Sequence, residues 1–159
     1  MCCEEFEEYI PCQVTLTGIG KVEHLDNAGS VPVAPVGGVV SRQAYMLRIP
    51  LDFEYEKETV EGTYYEYILT DTIANIQIIS LTAYDESHPA GTDVNELFMD
   101  YPLRQEDQSA DYKYGYMYGT VFYKIPRTLP QSGVHRFKVV VTTRKGEEFT
   151  KETDEITMQ

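Results

Sequence analysis

Tryptophan is absent from this 159-residue chain, cysteine and histidine occur only three times each, and Lys and Arg total 13 against 26 Asp and Glu. Without Trp, the Cys…Trp…Cys core of antibody domains cannot be built. With so few Cys and His, and none clustered at metal-ligand spacing, zinc is a poor fit. The shortage of bases gives a net charge of −13. That argues against nucleic acid as a partner, because phosphate contacts need a basic surface. No apolar run approaches the ~18 to 20 residues of a membrane-spanning helix. No repeat, low-complexity tract or Gly/Ser linker divides the sequence, so a single domain over 13–159 is expected behind a short tether, 1–12. The first nine residues have neither a basic n-region nor an apolar h-region, so they do not form a signal peptide.

The residues present are those of a globular chain, 42% hydrophobic and 25% charged, enough to bury a core without staples. Their dominant period is two. Tyr45, Leu47, Ile49, Leu51, Phe53 and Tyr55 occupy alternate positions, with Met46, Arg48, Pro50, Asp52 and Glu54 between them. This predicts a long half-buried strand, at an edge or bulged at Pro50, which has no N–H to donate. A second strand is expected over Ile73 to Tyr84, central because both faces are apolar, and a shorter one over Gln13 to Ile19. Val134 to Arg144 alternates again; Lys145-Gly146 signals a turn, and Glu147 to Met158 returns as the second arm of a hairpin.

Helix signals are few. Asp93 to Met99, capped by Thr92 or Asp93 and stopped before Pro102, is the one candidate. Val31 to Gly38, with its prolines and paired glycines, reads as a surface loop. Many short strands and almost no helix predict an all-β fold, an immunoglobulin-like antiparallel sandwich with one short helix in a long inter-strand insertion. Leu129 to Gly133 forms the corner before the penultimate strand, where an aromatic or polar ring at His135 is expected to hydrogen-bond back to the corner.

Cys2-Cys3 followed by acidic residues suggests a processed lipoprotein start, with Met1 standing where a signal was removed. Lipid on one of Cys2 and Cys3 leaves the other to pair with Cys12, so a Cys3–Cys12 disulfide is expected. The alternative is three reduced thiols at a cytoplasmic terminus. Beyond Cys2-Cys3, four further segments matter: Asp26-Asn27-Ala28-Gly29, Ala44 to Ile49, His88 to Phe98, and the Gly133 to Thr157 hairpin. Together they resemble Bacteroidetes-type cell-envelope lipoproteins of uncharacterised function. The resemblance implies a lipid-anchored protein of the periplasm or outer membrane, touching the membrane only through its anchor, with an immunoglobulin-like sandwich. It carries over no catalytic residue.

Three constellations could carry function. Asp85, Glu86 and Asp93 offer oxygen ligands at close spacing for a hard cation such as calcium, against a plain reading as a solvated loop in which Asp93 caps a helix. No Gly-x-Ser-x-Gly elbow supports a nucleophile, so no enzymatic activity is expected. Tyr112, Tyr114, Tyr116 and Tyr118 share one parity, and a kink at Gly119 switches it to Val121, Tyr123 and Ile125. Exposed, this row would bind a glycan or a partner protein; buried, it is core. Tyr64, Tyr65 and Tyr67 form a second, weaker patch in a Glu-rich stretch. Charge is uneven: residues 85–111 hold eight acids against Arg104, whereas 121–159 hold seven bases against five acids. The expected role is a non-catalytic, envelope-anchored binding module. The alternatives are a carbohydrate-binding accessory protein and a structural, adhesin-type assembly module.

Overall fold

A computed structural model describes residues 8–101 and 121–159. In these, the period-two segments become twelve strands: β1 (Ile10–Ile19), β2 (Glu23–Asp26), β3 (Val39–Val40), β4 (Tyr45–Tyr55), β5 (Tyr65–Leu69), β6 (Ile73–Ser80), β7 (Phe98–Asp100), β8 (Val121–Pro126), β9 (Gly133–His135), β10 (Phe137–Thr143), β11 (Glu148–Glu152) and β12 (Ile156–Met158). The largest sheet runs β5-β1-β4-β8-β7, with β2 also paired to β4; the smaller ones run β11-β10-β6 and β3-β12-β9. The fold is all-β and sandwich-like. One core joins Leu16 and Ile19 of β1 and Tyr45, Leu47, Ile49 and Leu51 of β4 to Ile78 of β6 and Phe137, Val139 and Val141 of β10. The ladders are antiparallel except for β1 with β5 and β3 with β12, which are parallel.

β4 has the expected bounds, but Pro50 is neither at a sheet edge nor at a register shift, the two alternatives its missing N–H had suggested. β4 is the centre of its sheet, and Pro50 is paired with Val121 of β8. On the other side β2 pairs with Tyr45 to Arg48 and β1 with Leu51 to Tyr55. The Pro50 carbonyl accepts the Gly20 N–H between those two stretches. A residue's N–H and C=O point to the same side of a strand, so the missing donor falls where the neighbouring chain passes from β1 to β2 and no ladder bond is lost. β6 ends at Ser80 and is outermost, not central; β10 lies in the middle of that sheet. The outer edge of β6 is covered by the insertion, with Ser80 N–H bonded to Thr92 O and Val94 N–H to Ile78 O.

The expected helix shrinks to a 3-10 turn at Asn95–Leu97. Asp93 spends its Oδ1 on the N–H groups of Ile78 and Asn95, anchoring the segment to β6 instead of starting an α-helix, and β7 begins at Phe98. β1 starts at Ile10, so Ile10 to Cys12 belong to a paired strand and not to the tether.

The C-terminal hairpin forms between β10 and β11 around the expected Lys145-Gly146 turn, but both arms change sheets. Upstream of Arg136, β9 pairs with β12, and downstream β10 pairs with β6 and β11. Thr153 locks the crossing: its N–H donates to Phe137 O, and its buried Oγ1 accepts the Phe137 N–H at 3.0 Å. His135 sits at this crossing and its Nε2–H donates to Gln131 O at 2.7 Å, the corner bond expected from the sequence.

Candidate functional site

Among the described residues, exposed aromatic surface is concentrated where β5 ends the large sheet. Strand side chains alternate between faces, and paired residues in a parallel ladder share a face. Ile10 pairs with Tyr65, Cys12 with Tyr67 and Val14 with Leu69. Cys12 and Val14 are buried, so these β5 residues line the inner side, where Tyr55 joins them opposite Val14. The Tyr55 and Tyr67 rings meet edge to face at 5.9 Å, and Tyr65 lies 6.0 Å from Tyr67. The opposite parity faces outward: Tyr64 just before β5, and Glu66 and Ile68 on it, beside Tyr9, Pro11 and Gln13. Tyr9 and Tyr64 are 56% and 51% exposed, and their rings meet edge to face at 5.7 Å.

Local chemistry fixes this arrangement. Gly62 takes φ +82°, a conformation that costs glycine little, and the Thr63 N–H closes a turn on Val60 O. The Tyr65 hydroxyl accepts the Val60 N–H and donates to Glu58 O, tying the β4–β5 excursion back onto the strand. Glu54, Glu56, Glu58, Glu61 and Glu66, all exposed, lie in the same stretch of chain, from the end of β4 into β5. The one base among them, Lys57, donates to Pro11 O at 2.7 Å. The face is therefore aromatic and anionic.

The other sequence-derived candidates fare differently. Tyr112, Tyr114, Tyr116 and Tyr118, and the proposed lipidation sites Cys2 and Cys3, lie outside the described residues. Cys12 is a free, fully buried thiol on the inner face of β1, and Cys3, its expected disulfide partner, lies outside the described residues. Asp85, Glu86 and Asp93 are not brought together as a cation site; among the described residues no group of three or more His, Cys, Asp or Glu could hold a metal ion. The physical reason is that the carboxylates are used locally. Asp85 Oδ1 accepts from Ser87 N–H and bonds His88 Nδ1 at 2.7 Å, while Asp93 is committed to β6. The His88 hydrogen bond holds the Asp85 carboxyl below its ordinary value.

All three histidines border one aromatic cluster. His135 stacks on Phe137, Tyr84 packs against His88, His135 and Phe137, and Tyr45 lies between His24 and Phe137. The tautomer of His24 follows from its partners. Asp154 O can only accept, so Nε2 carries the proton, and Nδ1 accepts the Tyr45 hydroxyl proton at 2.6 Å. Desolvation pushes the His24 and His135 imidazoles below their ordinary value and the Tyr45 hydroxyl well above its own. These groups act as structural pins through the His24–Tyr45, His24–Asp154 and His135–Gln131 hydrogen bonds.

Sequence reasoning grouped Tyr64, Tyr65 and Tyr67 but missed Tyr9 and Tyr55. Both reach the patch through strand pairing, which spacing does not reveal. Among the described residues no helix is long and apolar enough to cross a membrane. No curated protein and no solved structure matches the chain. A family model described as a domain of unknown function, DUF5034, matches residues 19–154, so the chain belongs to the DUF5034 family.

Proposed function

We propose that this chain is a non-catalytic binding module, lipid-anchored at a bacterial envelope through Cys2 or Cys3, that takes a protein partner at the tyrosine-bearing end of its large sheet. The observation that carries this reading is the exposed Tyr9–Tyr64 pair beside Ile68, which is 44% exposed, at the last strand of the sheet order. Rigid aromatic rings give contact area at low entropic cost, and they dominate interface energetics. A protein is favoured over a glycan by ring geometry. Sugar stacking wants flat, coplanar platforms, whereas Tyr9 and Tyr64 are inclined at 61° and Tyr55 and Tyr67 at 82°.

A photo-crosslinking amino acid placed at position 64 in the native host tests the binding reading, with the exposed Lys151 position of β11 as control. The expected result is a protein adduct from position 64 and none from 151. Glycan-array hits that disappear in Tyr64→Ala would transfer the site to carbohydrate, and no adduct with no glycan would overturn the reading. The anchor is tested separately by the intact mass of the native protein: added acyl mass on Cys2 or Cys3 supports it, and an unmodified Met1 sinks it.

A further inference from the structure

One of the three sheets is built from segments without charge. Asp, Glu, Lys and Arg make up 25% of the chain but are absent from 27–41, 128–135 and 156–159. These segments supply β3, β12 and most of β9, with the loops that lead into them. Gln159 N–H donates to Val40 O and Arg42 N–H to Gln159 O, while Arg42 Nη1 donates to Pro130 O at 3.1 Å. Arg42, the base that borders the first segment, is thus half-buried and engaged. Val39 pairs with Thr157 and Thr157 with Val134, and paired residues share a face. Their neighbours Val40, Met158, Ile156 and His135 are buried, so the row Val39–Thr157–Val134 looks outward. Val39 and Val134 are 37% and 47% exposed. Gly37 and Gly38, at φ +65° and +69°, turn the chain just ahead of β3. Val36, before that turn, is 89% exposed, the highest value for a large apolar side chain among the described residues. Valines exposed singly need no explanation, but a row in register beside a projecting valine marks a contact surface.

We infer that a second copy of this chain docks on this sheet, outer face to outer face about a two-fold axis. Charge chooses the occupant. Two chains of net charge −13 repel wherever their acids meet, so they approach best through a face that has none. Composition agrees, because contacts between identical subunits are more apolar than those between different proteins. A lipid surface fits less well. It is held by aromatic rings and by Lys or Arg, whereas none of the 13 Tyr, 6 Phe or 13 Lys and Arg lies in these segments. The residues of this face are separate from the tyrosine-bearing site, so the dimer does not rest on the binding reading above.

Sedimentation velocity of the full chain, from about 5 to about 500 μM with reductant to keep the cysteines from linking copies, tests the inference. The average mass should climb from 18.2 kDa towards twice that value. Val36→Asp and Val134→Lys should each weaken the dimer at least about tenfold, with an unchanged melting temperature because both positions are exposed. Their charges are opposite, so a shared loss reports the face and not the overall repulsion. Raising sodium chloride from about 50 to about 500 mM should tighten the dimer about threefold or more, since screening relieves repulsion. Amide shifts of the labelled chain on dilution should centre on Val36, Val39, Val134 and Thr157. A monomer throughout, a dimer indifferent to both substitutions or weakened by salt, or shifts centred elsewhere would overturn the inference. So would binding to phosphatidylcholine vesicles that Val36→Asp abolishes, or a photo-crosslink from position 36 in the native host to a different protein.

Discussion

His24 and His135 are neutral because their surroundings leave a second proton no good place. A proton on His24 Nδ1 would displace the hydroxyl proton that Tyr45 donates there. His135 Nδ1 is buried with no hydrogen-bond partner, so a second N–H would be orphaned. Both native values lie below the ordinary 6.5, so the unfolded chain binds more protons than the native one as the pH falls. Stability is therefore full above pH 6.5 and is lost as the pH drops through it towards the lower native values. Urea midpoints between pH 7.5 and 5 should fall, and His135→Gln should flatten the curve even if it lowers the neutral-pH value. Tyr45→Phe should cost about 1–3 kcal/mol in the same assay, because it leaves His24 Nδ1 buried without a donor. At this scale the sequence was half legible. The corner bond of His135 spans four residues and follows from a local pattern. The His24–Tyr45 bond spans 21 and requires β2 to lie on β4.

Elements were legible wherever the period of two was unbroken, as in β4 and β10. They were misread where a single side chain redirected the backbone. Asp93 turned a helix signal into a bridge to β6, and Thr153 divided one returning arm into β11 and β12. Thr153→Val keeps the shape of the side chain but removes the acceptor for the buried Phe137 N–H, so a loss of about 1–3 kcal/mol is expected by chemical denaturation. Phe137→Ala empties the centre of the aromatic cluster at the same crossing and should cost about 3–5 kcal/mol. The candidate site follows the same rule. Tyr64, Tyr65 and Tyr67 were visible as neighbours in sequence, whereas Tyr9 and Tyr55 arrive through the β1–β5 and β1–β4 ladders. Edge and centre positions were not legible, since Pro50 and the apolar β6 both pointed the wrong way; order within a sheet is decided by long-range pairing.

Across the whole molecule the net charge of −13 sets a background of self-repulsion. Much of it lies around β5, where the five exposed glutamates face one engaged lysine. Screening should relieve it, so the melting temperature should rise as sodium chloride is raised from about 10 to about 300 mM. Charge-reversing one of these carboxylates at low salt should stabilise the fold in the same direction, within about 0.5 kcal/mol, as befits an exposed position.

The shielded thiol of Cys12 gives the β1–β5 edge a chemical clock. A fully buried sulfur reacts with an alkylating reagent only when the strand around it opens, so the rate of label arriving on the peptide containing Cys12 reports how often that margin of the sheet comes apart. A partner seated against Tyr9 and Tyr64 should slow the clock, and a wedge that pries β5 from β1 should speed it. Mass spectrometry of the digested protein separates this label from any on Cys2 or Cys3, so occupancy of the edge becomes measurable without an activity and without knowing the partner in advance.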